Sequence, residues 1–207
     1  MNPLPAVTFL TIVPVPGRNR PGLGEVAKAL WAFPLTGLGL GAAALGVHQA
    51  ASQALPEPAT AALVVVALMA LTGGMHLEGL ADACDGLFGG RTQDDRLAIM
   101  RDPRVGAYGV MGVVSVLGLK WAGVASLPGA IRFEALALVP CLARAGLALC
   151  VVAFPYARDR GMGAPFRGAG VPRALAACGI AAGASAVVLG PGGLAAWALA
   201  TGGALAL

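Results

Sequence analysis

The sequence predicts an all-α protein: a polytopic integral membrane helix bundle of about six transmembrane helices. Three observations carry this reading. Of the 207 residues, 57% are hydrophobic and only 12% are charged, whereas a soluble domain has about 25% charged residues. The apolar residues fall into long runs, most of them near the roughly 20 residues that a helix needs to cross a bilayer. The turns between the runs divide the basic residues unevenly, as sorting across a membrane requires. Glycine is abundant, at 31 residues, which suits helices packed backbone to backbone.

The elements follow in order. Residues 1–17 are apolar but interrupted by Pro3, Pro5, Pro14 and Pro16. No basic leader precedes them, so they read as a segment at the membrane surface rather than a signal peptide. The first span is expected at 30–53, with His48 near one end as an interfacial residue. Pro56, Glu57 and Pro58 make a turn. The second span starts near Ala59, stays apolar through Leu71, and can run on as one helix through Asp85. The third is expected at 105–127 and contains Lys120. A turn at 128–132 leads to the fourth, 134–154, with Arg144 in its middle. A polar loop then carries Arg158, Arg160, Arg167 and Arg173. The fifth span is expected at 174–189 and the sixth, after a turn at 191–193, at 194–207. These use nearly the whole chain, so one transmembrane helical domain, 1–207, is expected.

Orientation follows from the positive charges. With the N-terminus inside, the inner segments hold Arg18, Arg20, Lys28, Arg91, Arg96, Arg101, Arg104, Arg158, Arg160, Arg167 and Arg173, eleven of the fourteen basic residues. Of the rest, only Arg132 falls in an outer turn; Lys120 and Arg144 lie inside spans. Basic residues favour the cytoplasmic side. The net charge of +4 is therefore read as a topology signal spread over several loops, with no nucleic-acid patch. Charges inside a span are costly and point to function, which singles out Lys120 and Arg144. Cys84, Cys141, Cys150 and Cys178 show no paired spacing, so packing is their expected role.

Residues 72–112 collect ten of the chain's 24 charged side chains: Glu78, Asp82, Asp85, Arg91, Asp94, Asp95, Arg96, Arg101, Asp102 and Arg104. Glu78, Asp82 and Asp85 stand at i, i+4 and i+7, within roughly 60° of one another on a helix. Three carboxylates on one face repel, and a cation relieves the repulsion. All-oxygen donors suit Mg²⁺ or Mn²⁺. Asp102, just before Pro103, can fold back as a fourth carboxylate. A solvated acidic turn is the plainer alternative, but Gly79, Gly86, Gly89 and Gly90 let a phosphate approach the backbone. Carboxylates with a divalent cation and nearby arginines fit phosphoryl or nucleotidyl transfer. No GxxxxGK[ST] loop, HExxH or GxSxG motif is present.

TGGMHLEGLADACDGLFGGR, beginning at Thr72, and RLAIMRDPRVGAYGV, beginning at Arg96, closely resemble the cobalamin synthase family, the adenosylcobinamide-GDP ribazoletransferases. Gly73, Gly74, His76, Leu77, Glu78, Gly79, Leu80, Ala81, Asp82, Asp85, Gly86 and Leu87 match the family's first motif. Ile99, Met100, Arg101, Asp102, Arg104 and Gly106 match its second. FLTIVPVP from Phe9, FPLTGLGLG from Phe33, Lys120, Arg144 and FPYAR from Phe154 extend the match. The resemblance implies an Mg²⁺-dependent enzyme of the cell membrane, in bacteria the inner membrane, with its active site on the cytoplasmic face. It implies transfer of the phospho-cobinamide part of adenosylcobinamide-GDP to α-ribazole or its 5′-phosphate, with release of GMP. Glu78, Asp82, Asp85 and Asp102 are the expected metal or general-base carboxylates. His76, Arg101, Arg104, Lys120 and Arg144 are the expected substrate-binding residues. Membrane lipid is an expected partner and nucleic acid is not; the oligomeric state stays open.

The family continues to a Gly-Gly-x-Thr-Gly-Asp motif and a further apolar helix. Thr201-Gly202-Gly203 is not that motif, so a chain lacking a C-terminal family segment is expected. Two alternatives remain. A CDP-alcohol phosphotransferase would need D-G-x-x-A-R, and Asp85-Gly86 begins it without the Ala-Arg. A transporter with an intramembrane cation site would use Lys120 and Arg144, but acids and arginines gathered at one membrane face favour chemistry there.

Overall fold

The computed structural model describes residues 2–15, 21–157, 161, 163–168 and 170–206. Arg18, Arg20, Arg158 and Arg160, counted above toward orientation, lie outside the described residues, as do Pro16 and Leu207. Among the described residues all regular structure is helical: α1 (Leu4–Leu10), α2 (Leu23–Lys28), α3 (Phe33–Ala51), α4 (Glu57–Leu71), α5 (Met75–Gly89), α6 (Gln93–Ile99), α7 (Ala107–Ala125), α8 (Gly129–Ala153), α9 (Val171–Leu189) and α10 (Pro191–Ala206). Short 3-10 turns lie at Leu30–Ala32 and Ala164–Gly168.

The all-helical membrane class holds, and the expected count of about six spans is not confirmed. Among the described residues, four stretches are long and apolar enough to cross a membrane: Leu30–Ala51, Ala107–Ala125, Gly129–Ala153 and Val171–Leu189. The bent pair α4–α5 is a fifth candidate. The last expected span is α10, a helix of 16 residues, short of the roughly 20 a full crossing needs. The second expected span does not run straight through Asp85. Gly73 and Gly74 adopt φ of 62° and 70°, a left-handed conformation that residues with a Cβ avoid. α5 accordingly leaves at 90° to α4.

The chain packs as two compact units, residues 1–46 with 128–207, and residues 47–127. In the first, α8, α9 and α10 pack on one another. Its core centres on Cys141, Ala145 and Ala181, with Leu38, Leu142, Ala184 and Trp197 against them. A Cβ on Gly41 would run into the backbone of Ala137, so α3 meets α8 at backbone distance. In the N-terminal segment, α1 buries Pro5, Ala6 and Leu10 and packs on α2. The Phe9, Phe33 and Phe166 rings cluster at 6.0–6.3 Å between centroids.

The second unit holds the charged stretch. α4 and α7 lie side by side. The Trp121 indole N–H donates to the Pro58 carbonyl at 2.8 Å, tying the end of α7 to the start of α4. The two helices therefore run antiparallel, and α5 and α6 sit at the other end. His48, expected as an interfacial residue, lies 3.1 Å from Glu57 through Nε2 and Oε1 and closes the turn from α3 into α4.

Candidate active site

α5 carries the three acids in the order the spacing predicts. It starts at the left-handed Gly74 and ends at the extended Gly90. The acids differ in surroundings. Glu78 is exposed, Asp82 is half-buried, and Asp85 is buried, at 8% exposure.

Asp85 is anchored by α7. Its Oδ2 accepts the Gly106 N–H at 2.7 Å and its Oδ1 accepts the Gly109 N–H at 2.8 Å. These are amides at the start of α7, which has no side-chain cap of its own. The first N–H groups of a helix lack partners within it, and a carboxylate there also meets the positive end of the helix dipole. Asp85 thus caps α7 from a different helix. Hydrogen bonds to a charged group contribute about 1.5–3 kcal/mol each. The arrangement requires bare backbone: a Cβ on Gly106 or Gly109 would collide with the Asp85 carboxylate, and one on Gly112 with the Cys84 sulfur.

Between α5 and α7 the chain makes a compact turn. Thr92 and Asp95 form a reciprocal capping box at the start of α6. The Thr92 hydroxyl and amide hold Asp95 below the usual carboxylate range. The Arg96 Nε donates to the Gly90 carbonyl at 3.1 Å, and α6 packs on α5. After α6, Asp102 takes Arg104 in a two-pronged pair, Nε to Oδ1 at 2.9 Å and Nη2 to Oδ2 at 2.7 Å. The Arg104 backbone N–H also donates to Asp102 at 2.9 Å. These bonds lower the Asp102 carboxyl to about 2 and raise the Arg104 guanidinium. Arg101 is exposed beside them.

Not every expected residue joins this group. Asp102 is engaged by Arg104 at its own turn. Among the described residues no group of three or more His, Cys, Asp or Glu is placed to hold a metal ion. The chain's donors are hard oxygens along one helix face, enough for a seat of one or two carboxylates. Mg²⁺ commonly takes no more from a protein, with water and substrate phosphate supplying the rest, so the residues present fit that ion without forming a cage. His76 lies exposed in the first turn of α5. Lys120 is eleven positions beyond Gly109, about 16 Å along α7, beside the Trp121 that bonds the start of α4. The structure thus places Lys120 at the far end of α7 from Asp85. Arg144 belongs to the other unit, where it is half-buried on α8 and its buried Nε has no hydrogen-bond partner.

Sequence reasoning missed Gly106 and Gly109 as the partners of Asp85. One signal was present: Pro103 to Ala107 offers no Ser, Thr, Asp or Asn immediately before the helix, so the cap had to come from elsewhere.

A polytopic helical protein with an acidic helix face and a neighbouring arginine-bearing turn is a membrane-embedded candidate for charge-stabilised group transfer. Residues 3–207 match the family model described as cobalamin-5-phosphate synthase. The chain belongs to the cobalamin-5-phosphate synthase family. Among curated relatives, an adenosylcobinamide-GDP ribazoletransferase of Bradyrhizobium diazoefficiens is 41% identical over 77% of this chain and 62% of its own length. A protein of the same name from Roseiflexus is 38% identical over 94% of this chain and 72% of its own. One from Klebsiella pneumoniae subsp. pneumoniae is 40% identical over 79% of this chain and 68% of its own. The chain thus spans about two thirds of the length of these relatives. No solved structure matches it.

Proposed function

We propose that this chain performs the reaction for which its relatives are named, transferring the phospho-cobinamide part of adenosylcobinamide-GDP to α-ribazole or its 5′-phosphate. A ribose hydroxyl attacks the phosphorus attached to cobinamide. A new P–O bond forms there, and the bond from that phosphorus to the bridging oxygen breaks. The electron pair leaves with GMP, and the hydroxyl proton passes to a carboxylate of the α5 face. The observation that carries this reading is the α5 acidic face bound directly, through Asp85, to the helix that follows the Arg101–Arg104 turn.

Each residue has a distinct task. Asp82 and Glu78 would hold Mg²⁺, and the ion, when bound, would neutralise phosphate oxygens. Arg101 would bind a phosphate oxygen from the exposed turn. Asp102 holds the Arg104 guanidinium through Nε and Nη2, and the remaining N–H groups would bind a phosphate oxygen. His76, at the start of α5, would contact substrate. The site would face the cytoplasm in the inner membrane of a bacterium, on the side favoured by the basic residues.

The test is an assay of the protein in lipid vesicles with adenosylcobinamide-GDP, α-ribazole 5′-phosphate and Mg²⁺, following GMP. Stoichiometric GMP and a cobamide product support the reading. CMP release from a CDP-alcohol would replace it with the phosphotransferase alternative, and cation flux without turnover with a transporter.

A further inference from the structure

We infer that Asp85 is a positioning residue rather than a metal ligand: its carboxylate is the N-terminal cap of α7, and through α7 it sets the Arg101–Arg104 turn against the acidic face of α5. This deepens the proposed function and rests on it for the turnover readouts, but its structural half stands apart from any reaction. Both carboxylate oxygens of Asp85 are engaged by amide N–H groups, from Gly106 and Gly109. The side chain is buried, while Asp82 is half-buried and Glu78 exposed. The glycines are part of the same device, since a side chain at Gly106 or Gly109 would occupy the place of the carboxylate.

The geometry explains why an acid is needed there. Two N–H donors converge on one group, so both of its atoms must accept. A carboxylate does this, and an amide cannot, because its NH₂ would face a donor. The turn carrying Arg101 and Arg104 ends at Gly106, so the bond that fixes Gly106 also fixes where the turn ends. Asp82, one turn earlier on α5, has no such engagement with α7.

The experiment compares the wild-type chain with Asp85→Asn and Asp82→Asn in lipid nanodiscs. Amide hydrogen exchange at Gly106 and Gly109 is read alongside the Mg²⁺ half-saturation, kcat and KM of GMP release. In the wild type, both amides should be protected in EDTA, with less than a twofold change when Mg²⁺ is added. Asp85→Asn should speed their exchange about tenfold or more and raise KM for adenosylcobinamide-GDP, while the residual turnover keeps the wild-type Mg²⁺ half-saturation. Asp82→Asn should do the reverse, leaving exchange alone and raising the Mg²⁺ requirement. Protection that appears only with Mg²⁺, or an Asp85→Asn variant that shifts Mg²⁺ half-saturation as Asp82→Asn does, would overturn the assignment. If Asp85→Asn fails to fold, the wild-type comparison in EDTA and Mg²⁺ still decides. Absence of GMP release by the wild type would remove the proposed function and leave the exchange result standing.

Discussion

Asp82 and Asp85 are three residues apart on one helix, yet their surroundings differ: Asp85 is buried with both oxygens bonded to amides of α7, and Asp82 is half-buried. Asp82 remains available to a ligand at the acidic face. Asp82→Asn should leave helix content unchanged by circular dichroism and slow GMP release by several kcal/mol in barrier, on the order expected for a lost Lewis acid; wild-type turnover at limiting Mg²⁺ would remove Asp82 from the site. Asp102 illustrates a different constraint. Its carboxyl is held at about 2 against an ordinary 3.8 by Arg104. A depressed carboxylate contributes its stabilisation fully above the ordinary value and loses it as pH falls through the lowered one. The pair should therefore be intact at neutral pH and lost between 3.8 and about 2. A carbon-detected NMR titration should place the Asp102 midpoint near the lower figure, and Arg104→Ala should return it toward 3.8. The residue types at this site were legible in the sequence because acids are rare in an apolar chain. Their partners were not, because Gly106 and Gly109 contribute only backbone N–H groups, and a backbone donor leaves no mark in residue identity.

At the scale of elements, the bend between α4 and α5 turns a run of residues that reads as one span into two helices with separate tasks. Periodicity could not reveal it, since α4 is apolar on every side and has no face to follow into α5; the sign in the sequence was the Gly73-Gly74 pair itself, a dipeptide that marks turns. The left-handed φ values at Gly73 and Gly74 are tertiary choices that glycine permits without dictating. Gly74→Ala isolates the effect, because a Cβ there would meet nothing within 4 Å. The cost is then conformational, roughly 1–2 kcal/mol. The variant should show a lower Tm in lipid and reduced turnover, and an unchanged Tm would mean that the bend does not depend on this residue. The remaining helices were easier to read. α7, α8 and α9 begin and end within a few residues of their expected limits, because Pro and Gly flank long apolar runs.

For the whole molecule, membrane class was evident from composition, while the count of crossings was not, because α10 is short and α4 leads into a bent pair. The basic residues give a testable orientation. Single-cysteine variants at Glu57 and Arg132 should react with a membrane-impermeant thiol reagent added from outside intact cells; reaction only after the cytoplasmic face is opened would invert the topology. The length of α4 has a consequence for the bilayer itself. Its 15 residues rise about 22 Å, against a hydrocarbon thickness of about 30 Å. Local thinning of the bilayer is one way to match a short span, and thinning beside the bend would bring hydrophilic substrates nearer the acids. Turnover should then be higher in vesicles of short acyl chains than in thick ones, and an enzyme indifferent to chain length would show that the protein alone fills the gap.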